Sequence, residues 1–230
     1  MEDELVLASV HDLTDLTTFM ARAATLGCEH VRLSAHGTAL VVSVAVITRA
    51  SLLDTTPTIL GVRVFELATE SALDRVILVR ALSDRLARTE LTLPLPPGIP
   101  GVSWTGVAPP AGGWHPAGSI SEGELARVAQ EGIAEVASVS GKGALIVARV
   151  RTEVWSRLQI FASSSLLPLV AGSPRDVSSV EAPAGVALAA FGLGFLAAEA
   201  GLLESSDEVR ISRAASWTRF TTTRGYVIFR

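Results

Sequence analysis

The side chains with the clearest potential for ligand chemistry lie in residues 212–230, which read SRAASWTRFTTTRGYVIFR. Residues 209–230 contain five arginines and no acidic residue, whereas the whole chain has a formal net charge of −4. If residues 216–222 form a strand, Trp217 and Arg219 share one face, where a guanidinium group and an aromatic ring suit a phosphate and a base. The candidate binding residues are Arg210, Arg213, Trp217, Arg219, Arg224 and Tyr226.

The same segment also fits a purely structural role. Each face of the expected strands carries aromatic or aliphatic side chains, as in a sheet that packs on a core. Arginine stems cover apolar surface, and charged residues at sheet edges discourage aggregation. We therefore interpret the segment first as the closing strands of a sheet, and we keep a protein interface and a nucleic-acid site as alternatives.

A second group of reactive side chains, Cys28, His30 and His36, accompanies an expected strand. A metal needs three or four converging ligands, so this group predicts no metal site. A cysteine–histidine nucleophile pair is an alternative, but the apolar neighbours indicate a buried, inert thiol. An enzyme with a dispersed site near these residues would require a deep pocket that holds one of the histidines beside a carboxylate.

Two glycine-containing stretches fail as nucleotide motifs. In VSGKGAL, a phosphate loop would need a glycine at position 136 and a hydroxyl residue at position 143, where the chain has Val136 and Gly143. In FGLGFLA, a dinucleotide fingerprint would need further βα units, but only about 33 residues follow. The sequence also contains no G-x-S-x-G elbow. It therefore predicts no catalytic residue and no cofactor, and it favours a protein that is not an enzyme.

The composition is that of a globular protein. Hydrophobic residues make up 49% of the 230 residues, which allows a substantial core. One cysteine excludes an internal disulfide, and the acidic start MEDELVLASV is unlike a secretory signal, so we expect a cytoplasmic protein. The uncharged stretch 182–198 is 17 residues long and rich in alanine and glycine, which favours a buried helix over a membrane span.

The hydrophobic periodicity predicts a β-rich first half in the order α-β-β-β-β-α. Residues 11–27 fit a helix, residues 30–47 a hairpin, and residues 58–67 and 74–79 two further strands before a second helix. A single helix over residues 73–88 is the competing interpretation, and we favour a strand followed by a helix.

The predicted fold class is α+β, with an α/β half over residues 1–90 and a helical half over residues 119–230 that ends in a short antiparallel sheet. Residues 91–118 hold seven of the eleven prolines and should form a connector across the surface, anchored by Trp104 and Trp114. We expect the halves to pack as one body. EHVRLSAHG and DEVRISRAA resemble each other, which leaves a duplication open.

Three functional classes follow. The first is a cytoplasmic, non-catalytic interaction or regulatory protein that binds a protein partner or itself, for instance as a homodimer. The second is a nucleic-acid-binding protein that uses the basic terminal strands; a winged-helix version lacks a conspicuously basic helix. The third is the enzyme with a dispersed site near Cys28, His30 and His36. None of the three requires a membrane.

Overall fold

The computed structural model describes residues 4–49, 54–100, 104–164, 177–197 and 207–230. Two long antiparallel strands dominate the first half of the chain. Its elements, in chain order, are β1 (Glu4–Val6), α1 (Val10–Thr25), β2 (His30–Ile47), β3 (Ile59–Leu78), α2 (Val79–Leu86) and β4 (Thr92–Pro94).

The second half alternates helices with short strands. Its elements are β5 (His115–Ser121), α3 (Glu122–Ala137), a short 3-10 helix (Ser140–Lys142), α4 (Ala144–Ser156), β6 (Leu158–Ser164), β7 (Val177–Pro183), α5 (Ala184–Gly192), β8 (Glu208–Ala214), β9 (Trp217–Thr221) and β10 (Tyr226–Phe229).

Local sequence determines where the first helix and strand begin and end. The Ser9 hydroxyl caps α1 by accepting a hydrogen bond from the backbone N–H of Asp12 at 3.1 Å. Gly27 has a φ of +82°, a conformation that favours glycine and lets the chain turn into β2. In β2, Val31 and Leu33 are buried and alternate with residues that are partly exposed.

Eight strands from both halves form a single antiparallel sheet in the order β2-β3-β10-β9-β8-β5-β6-β7, and β1 and β4 form a separate pair. The halves meet where β3 pairs with β10, with Val62 opposite Tyr226 and Leu60 opposite Ile228. A strand from the end of the chain therefore lies beside one from the first third, and this pairing joins the two halves.

The two faces of the sheet are covered differently. On one face, buried side chains of the helices and strands form the main core, which includes Phe19 of α1, Leu125 of α3 and Phe220 of β9. On the opposite face, called the outer face below, a smaller buried cluster contains no helical residue; it consists of Leu60, Val62, Trp217 and Ile228. Within the described residues, no helix therefore contributes to the cluster on the outer face.

The predicted fold class is wrong in both halves. The first half has the order β-α-β-β-α-β for three reasons. Residues 30–47 form one continuous strand and not the expected hairpin, and residues 59–78 form one strand where two were expected. The short strands β1 and β4 were not expected. The second half is not mainly helical, since β5, β6 and β7 precede the three expected strands. Those last three strands form the centre of the large sheet and not a small sheet of their own.

Some sequence predictions fall partly outside the described residues. The serine- and proline-containing stretch 162–183 predicts a loop by its composition, but residues 162–164 belong to β6 and residues 177–183 form β7. Residues 165–176 lie outside the described residues. Of the apolar stretch 182–198, α5 is a helix with seven buried residues, and residue 198 lies outside the described residues. None of the helices in the described part of the chain has the length and hydropathy needed to cross a membrane.

Candidate functional site

The six candidate binding residues do not form one group. Trp217, Arg219 and Tyr226 share the outer face with Arg210, because Tyr226 pairs with Thr221 and Thr221 pairs with Arg210 across the strands. Arg213 and Arg224 are separate from them. The first occupies a core-side position of β8, and the second lies in the turn after β9 and donates a hydrogen bond to the carbonyl of residue 196 at 3.3 Å.

The register aligns outer-face side chains in two neighbouring rows across the sheet. One row contains Ser43, Val62, Tyr226, Thr221 and Arg210, one residue each from β2, β3, β10, β9 and β8. The adjacent row contains Ala45, Leu60, Ile228, Arg219 and Ser212 on the same five strands. Arg219 and Arg210 are therefore diagonal neighbours, within reach of each other's long side chains.

Arg219 lies between two aromatic rings. Its guanidinium carbon is 4.6 Å from the centre of the Trp114 ring and 5.5 Å from that of Tyr226. Trp114 belongs to the proline- and glycine-rich segment, and its indole N–H donates to the carbonyl of Pro110 at 3.2 Å. Trp114, Arg219 and Tyr226, called the clasp below, thus hold this segment against the outer face through cation–π contacts.

The clasp is partly shielded from water. Burial raises the pKa of the Tyr226 phenol above its ordinary value, and the positive charge of Arg219 opposes that rise to a smaller extent. Two polar atoms on this face, Nε of Arg219 and Oγ1 of Thr221, are buried and have no hydrogen-bond partner. Buried polar groups normally have a hydrogen-bond partner, so two unpaired polar atoms on the same face of one strand are exceptional.

The arginines of the outer face also lack acidic partners. Within the described residues, no acidic side chain forms an ion pair with Arg210, Arg219 or Arg230. The guanidinium carbon of Arg230 is 5.9 Å from the centre of the Trp217 ring. One acidic residue, Glu208, lies two residues before Arg210 on the same face of β8. These three arginines therefore carry positive charge that no acidic side chain of the described residues pairs directly.

Cys28, His30 and His36 do not converge. Cys28 is buried against the core, and burial raises the pKa of its thiol to about 11, which makes it a poor nucleophile at neutral pH. His36 lies exposed on β2 with its Nε2 atom 3.0 Å from the hydroxyl of Ser34. Among the residues that the structure describes, no three His, Cys, Asp or Glu side chains come together as a metal site.

Two surface depressions were not foreseen from the sequence. A groove of about 840 Å³ lies between the end of β2 and α4, where Ile47, Arg151 and Trp155 are among its lining residues. A shallower one of about 440 Å³ lies between Trp104 and the ion pair that Arg32 makes with Asp74 at 2.6 Å. Both form between segments far apart in the chain, so no local pattern could reveal them.

Two different family models match the two halves of the chain. The model of a family described as a domain of unknown function, DUF8185, matches residues 109–230. The model of another domain of unknown function, DUF8010, matches residues 1–106. No curated protein matches the chain.

Comparison with solved structures identifies the fold. A protein of Eubacterium rectale described as a DNA polymerase III beta subunit has 11% sequence identity and a TM-score of 0.56, with 99% of this chain and 64% of that chain covered. The DNA polymerase III beta subunit of Caulobacter crescentus has 12% identity and a TM-score of 0.50, with 98% of this chain and 64% of that chain covered. The fold is that of the beta sliding clamp, which replaces the predicted arrangement, and the chain spans less than two thirds of the length of these proteins.

Proposed function

The chain belongs to the family of domains of unknown function DUF8185, and from its sliding-clamp fold and open sheet edges we propose that it is a non-catalytic interaction module that associates with copies of itself. The observation that carries the proposal is the pair of strands that end the eight-stranded sheet. In the described part of the chain, β2 pairs only with β3 and β7 pairs only with β6. Each of these strands presents a row of backbone groups that another strand could bind.

Exposed apolar side chains lie near both ends of the outer face. Near the β2 end, Val64 of β3 is 49% exposed. Near the β7 end, Leu158 and Ile160 of β6 are 65% and 68% exposed. A joint between two copies would cover such residues and would continue the sheet from one copy to the next, which gains both apolar burial and backbone hydrogen bonds.

The two edges differ, which constrains the symmetry of the assembly. β2 has 18 residues and β7 has seven, so a joint of the β2 edge to the β7 edge brings different surfaces together. Such a heterologous contact leaves one free edge at each end, so it repeats and gives a ring where the rotation between copies closes and an open filament where it does not. A homodimer through two identical edges is the other arrangement that the fold allows.

The charge of the helices favours protein over nucleic acid as the partner on that side of the sheet. The five α-helices of the described residues carry six arginines and eight acidic residues. A nucleic-acid surface needs an excess of basic side chains to neutralise phosphates. The helical layer therefore offers no electrostatic attraction for a nucleic-acid backbone, and the similarity to sliding clamps does not by itself carry over their association with DNA polymerase.

The test is a measurement of molar mass by light scattering over a range of protein concentrations. We expect a mass above that of the 24.0 kDa chain. Ile160→Glu at one end and Val64→Lys at the other should each reduce it, because each places a charge in the joint. Val107→Lys is the matched control, since Val107 is also 49% exposed but lies outside the sheet.

Mixing the two variants distinguishes the arrangements. In a heterologous joint, each variant retains one intact edge of a different kind, so the mixture should form a dimer that neither variant forms alone. In a homodimer through identical edges, at least one variant would remain dimeric by itself. A strictly monomeric parent chain at every concentration would contradict the proposal.

A further inference from the structure

We propose that Arg210, Arg219 and Thr221 form a binding site on the outer face for the phosphate group of a ligand. The inference goes beyond self-association, because it concerns the middle of the sheet and not its edges. It depends on the register, on the unpaired polar atoms and on the absence of acidic partners for these arginines.

The register brings three hydrogen-bond donors together. Thr221 lies directly opposite Arg210 and two residues after Arg219 on the same face of β9. Arg219 and Arg210 are diagonal neighbours, whose Cα atoms are typically about 7–8 Å apart in antiparallel sheets. A tetrahedral oxyanion between the two guanidinium groups would therefore also lie close to the threonine hydroxyl.

The clasp prepares Arg219 for such a ligand. The rings of Trp114 and Tyr226 lie 4.6 and 5.5 Å from its guanidinium carbon and restrict the orientation of the planar group. No residue in the described part of the chain accepts a hydrogen bond from its side chain. A guanidinium group that is already ordered loses little conformational entropy when it binds an oxyanion.

Two arginines of this face have no acidic partner in the described part of the chain. Arg210 and Arg219 are positively charged neighbours, and neither forms an ion pair with an acidic side chain among the described residues. The Thr221 hydroxyl and the Nε atom of Arg219 are buried without a hydrogen-bond partner, which is costly unless a ligand or water satisfies them. An anion would both reduce the repulsion and accept these hydrogen bonds.

The number and arrangement of the donors favour phosphate over carboxylate. A carboxylate has two oxygens, which one guanidinium group can satisfy in a bidentate pair. A phosphate group has additional oxygens, so it can accept from two guanidinium groups and from a hydroxyl group at once. Free phosphate, a nucleotide and a nucleic-acid backbone all present this chemistry.

The experiment is a titration at low salt with three phosphate probes, namely inorganic phosphate, a nucleoside monophosphate and a single-stranded oligonucleotide, and with an acidic peptide as the carboxylate comparison. Binding is followed by calorimetry and by amide chemical shifts of β8 and β9. Arg210→Ala should weaken binding of at least one probe roughly ten-fold, the loss of about one charge-assisted hydrogen bond. Arg213→Ala is the matched control, because Arg213 lies on the same strand but at a core-side position.

Arg219→Lys is the second variant, since it keeps the charge and removes the planar, stacked group. It should also weaken binding, and its thermal unfolding shows whether the protein remains folded. If phosphate and the nucleotide bind alike, the source is a small molecule; if only the oligonucleotide binds, the source is a nucleic acid. Equal effects of Arg210→Ala and Arg213→Ala, no binding of any probe, or stronger binding of an acidic peptide than of all three would overturn the proposal.

Discussion

The clasp should contribute measurably to stability through the direct coupling of Trp114 and Arg219. Cation–π contacts contribute about 0.5–1 kcal/mol at exposed sites and about 2 kcal/mol when desolvated. The distance from the guanidinium carbon to the Trp114 ring is 4.6 Å, and Nε of Arg219 is buried, so this contact belongs to the stronger class. We therefore expect a coupling free energy of about 1–2 kcal/mol between the two side chains.

The assay is a double-mutant cycle in urea. The free energy of unfolding is measured for the parent chain, for Trp114→Leu, for Arg219→Met and for the double variant. Methionine retains much of the arginine stem and removes the charge, so the cycle isolates the cation–π contribution from packing. In a chain of this length, each kcal/mol corresponds to roughly 2–4 °C in Tm, which provides an independent check.

The pair of Arg230 and Trp217 is the control, because its guanidinium carbon is 5.9 Å from the ring centre, at the limit for this interaction. Its coupling should be smaller, about 0.5 kcal/mol or less. A coupling below about 0.3 kcal/mol between Trp114 and Arg219, within the error of additivity, would show that the clasp does not hold the segment to the sheet.

Three further predictions concern single residues. Cys28, whose thiol pKa rises from 9.0 to about 11 through burial, should react with iodoacetamide about 100-fold more slowly in the folded protein at pH 8 than in urea; equal rates would disprove its burial. Gly185→Ala should lower the free energy of unfolding in urea by about 1–3 kcal/mol, because a Cβ atom there would lie 2.8 Å from the carbonyl oxygen of Trp155. Gly141→Ala is the control and should have little effect, because a Cβ atom at Gly141 meets no atom within 4 Å. The hydrogen bond from Arg32 lowers the pKa of Asp74 below its ordinary value of 3.8. The ion pair of Arg32 and Asp74 therefore stabilises the folded protein fully above pH 3.8, and this stabilisation is lost as the pH falls through the lower pKa of the folded state. Below about pH 4, the Tm of Asp74→Asn should therefore fall less than that of the parent chain.

The alternation of side chains in the last segment was sufficient to predict its strands and their faces. Trp217 and Arg219 do share a face, as the period of two requires. Their partners were not predictable, because these are set by long-range register. Arg219 stacks on Trp114 and Tyr226, while Trp217 lies near Arg230.

The strands β5 and β7 were missed because their sequences lack the usual strand signals, and β6, LQIFASS, was missed because it is short and directly follows α4. β5 reads HPAGSIS and β7 reads VSSVEAP, and both contain serine and proline, which indicate loops when they are considered locally. β7 pairs with β6 along its whole length, so backbone pairing overrides the weak propensity. The division into residues 1–90, 91–118 and 119–230 stays a prediction.

The close packing of α5 against β3, the strand through which the two halves pair, explains why α5 is rich in alanine and glycine. A Cβ atom on Gly185 would lie 2.7 Å from the side chain of Ile59, at the start of β3, and 2.8 Å from the backbone of Trp155 in α4. Two residues further along β3, a Cβ atom at Gly61 would overlap the side chain of Leu193, just after α5. The helix thus lies so close to the strand that connects the halves that only small residues fit between them. A uniformly apolar helix of small residues is suited to a membrane or to a tightly packed core, and its contacts with β3 place it in the core.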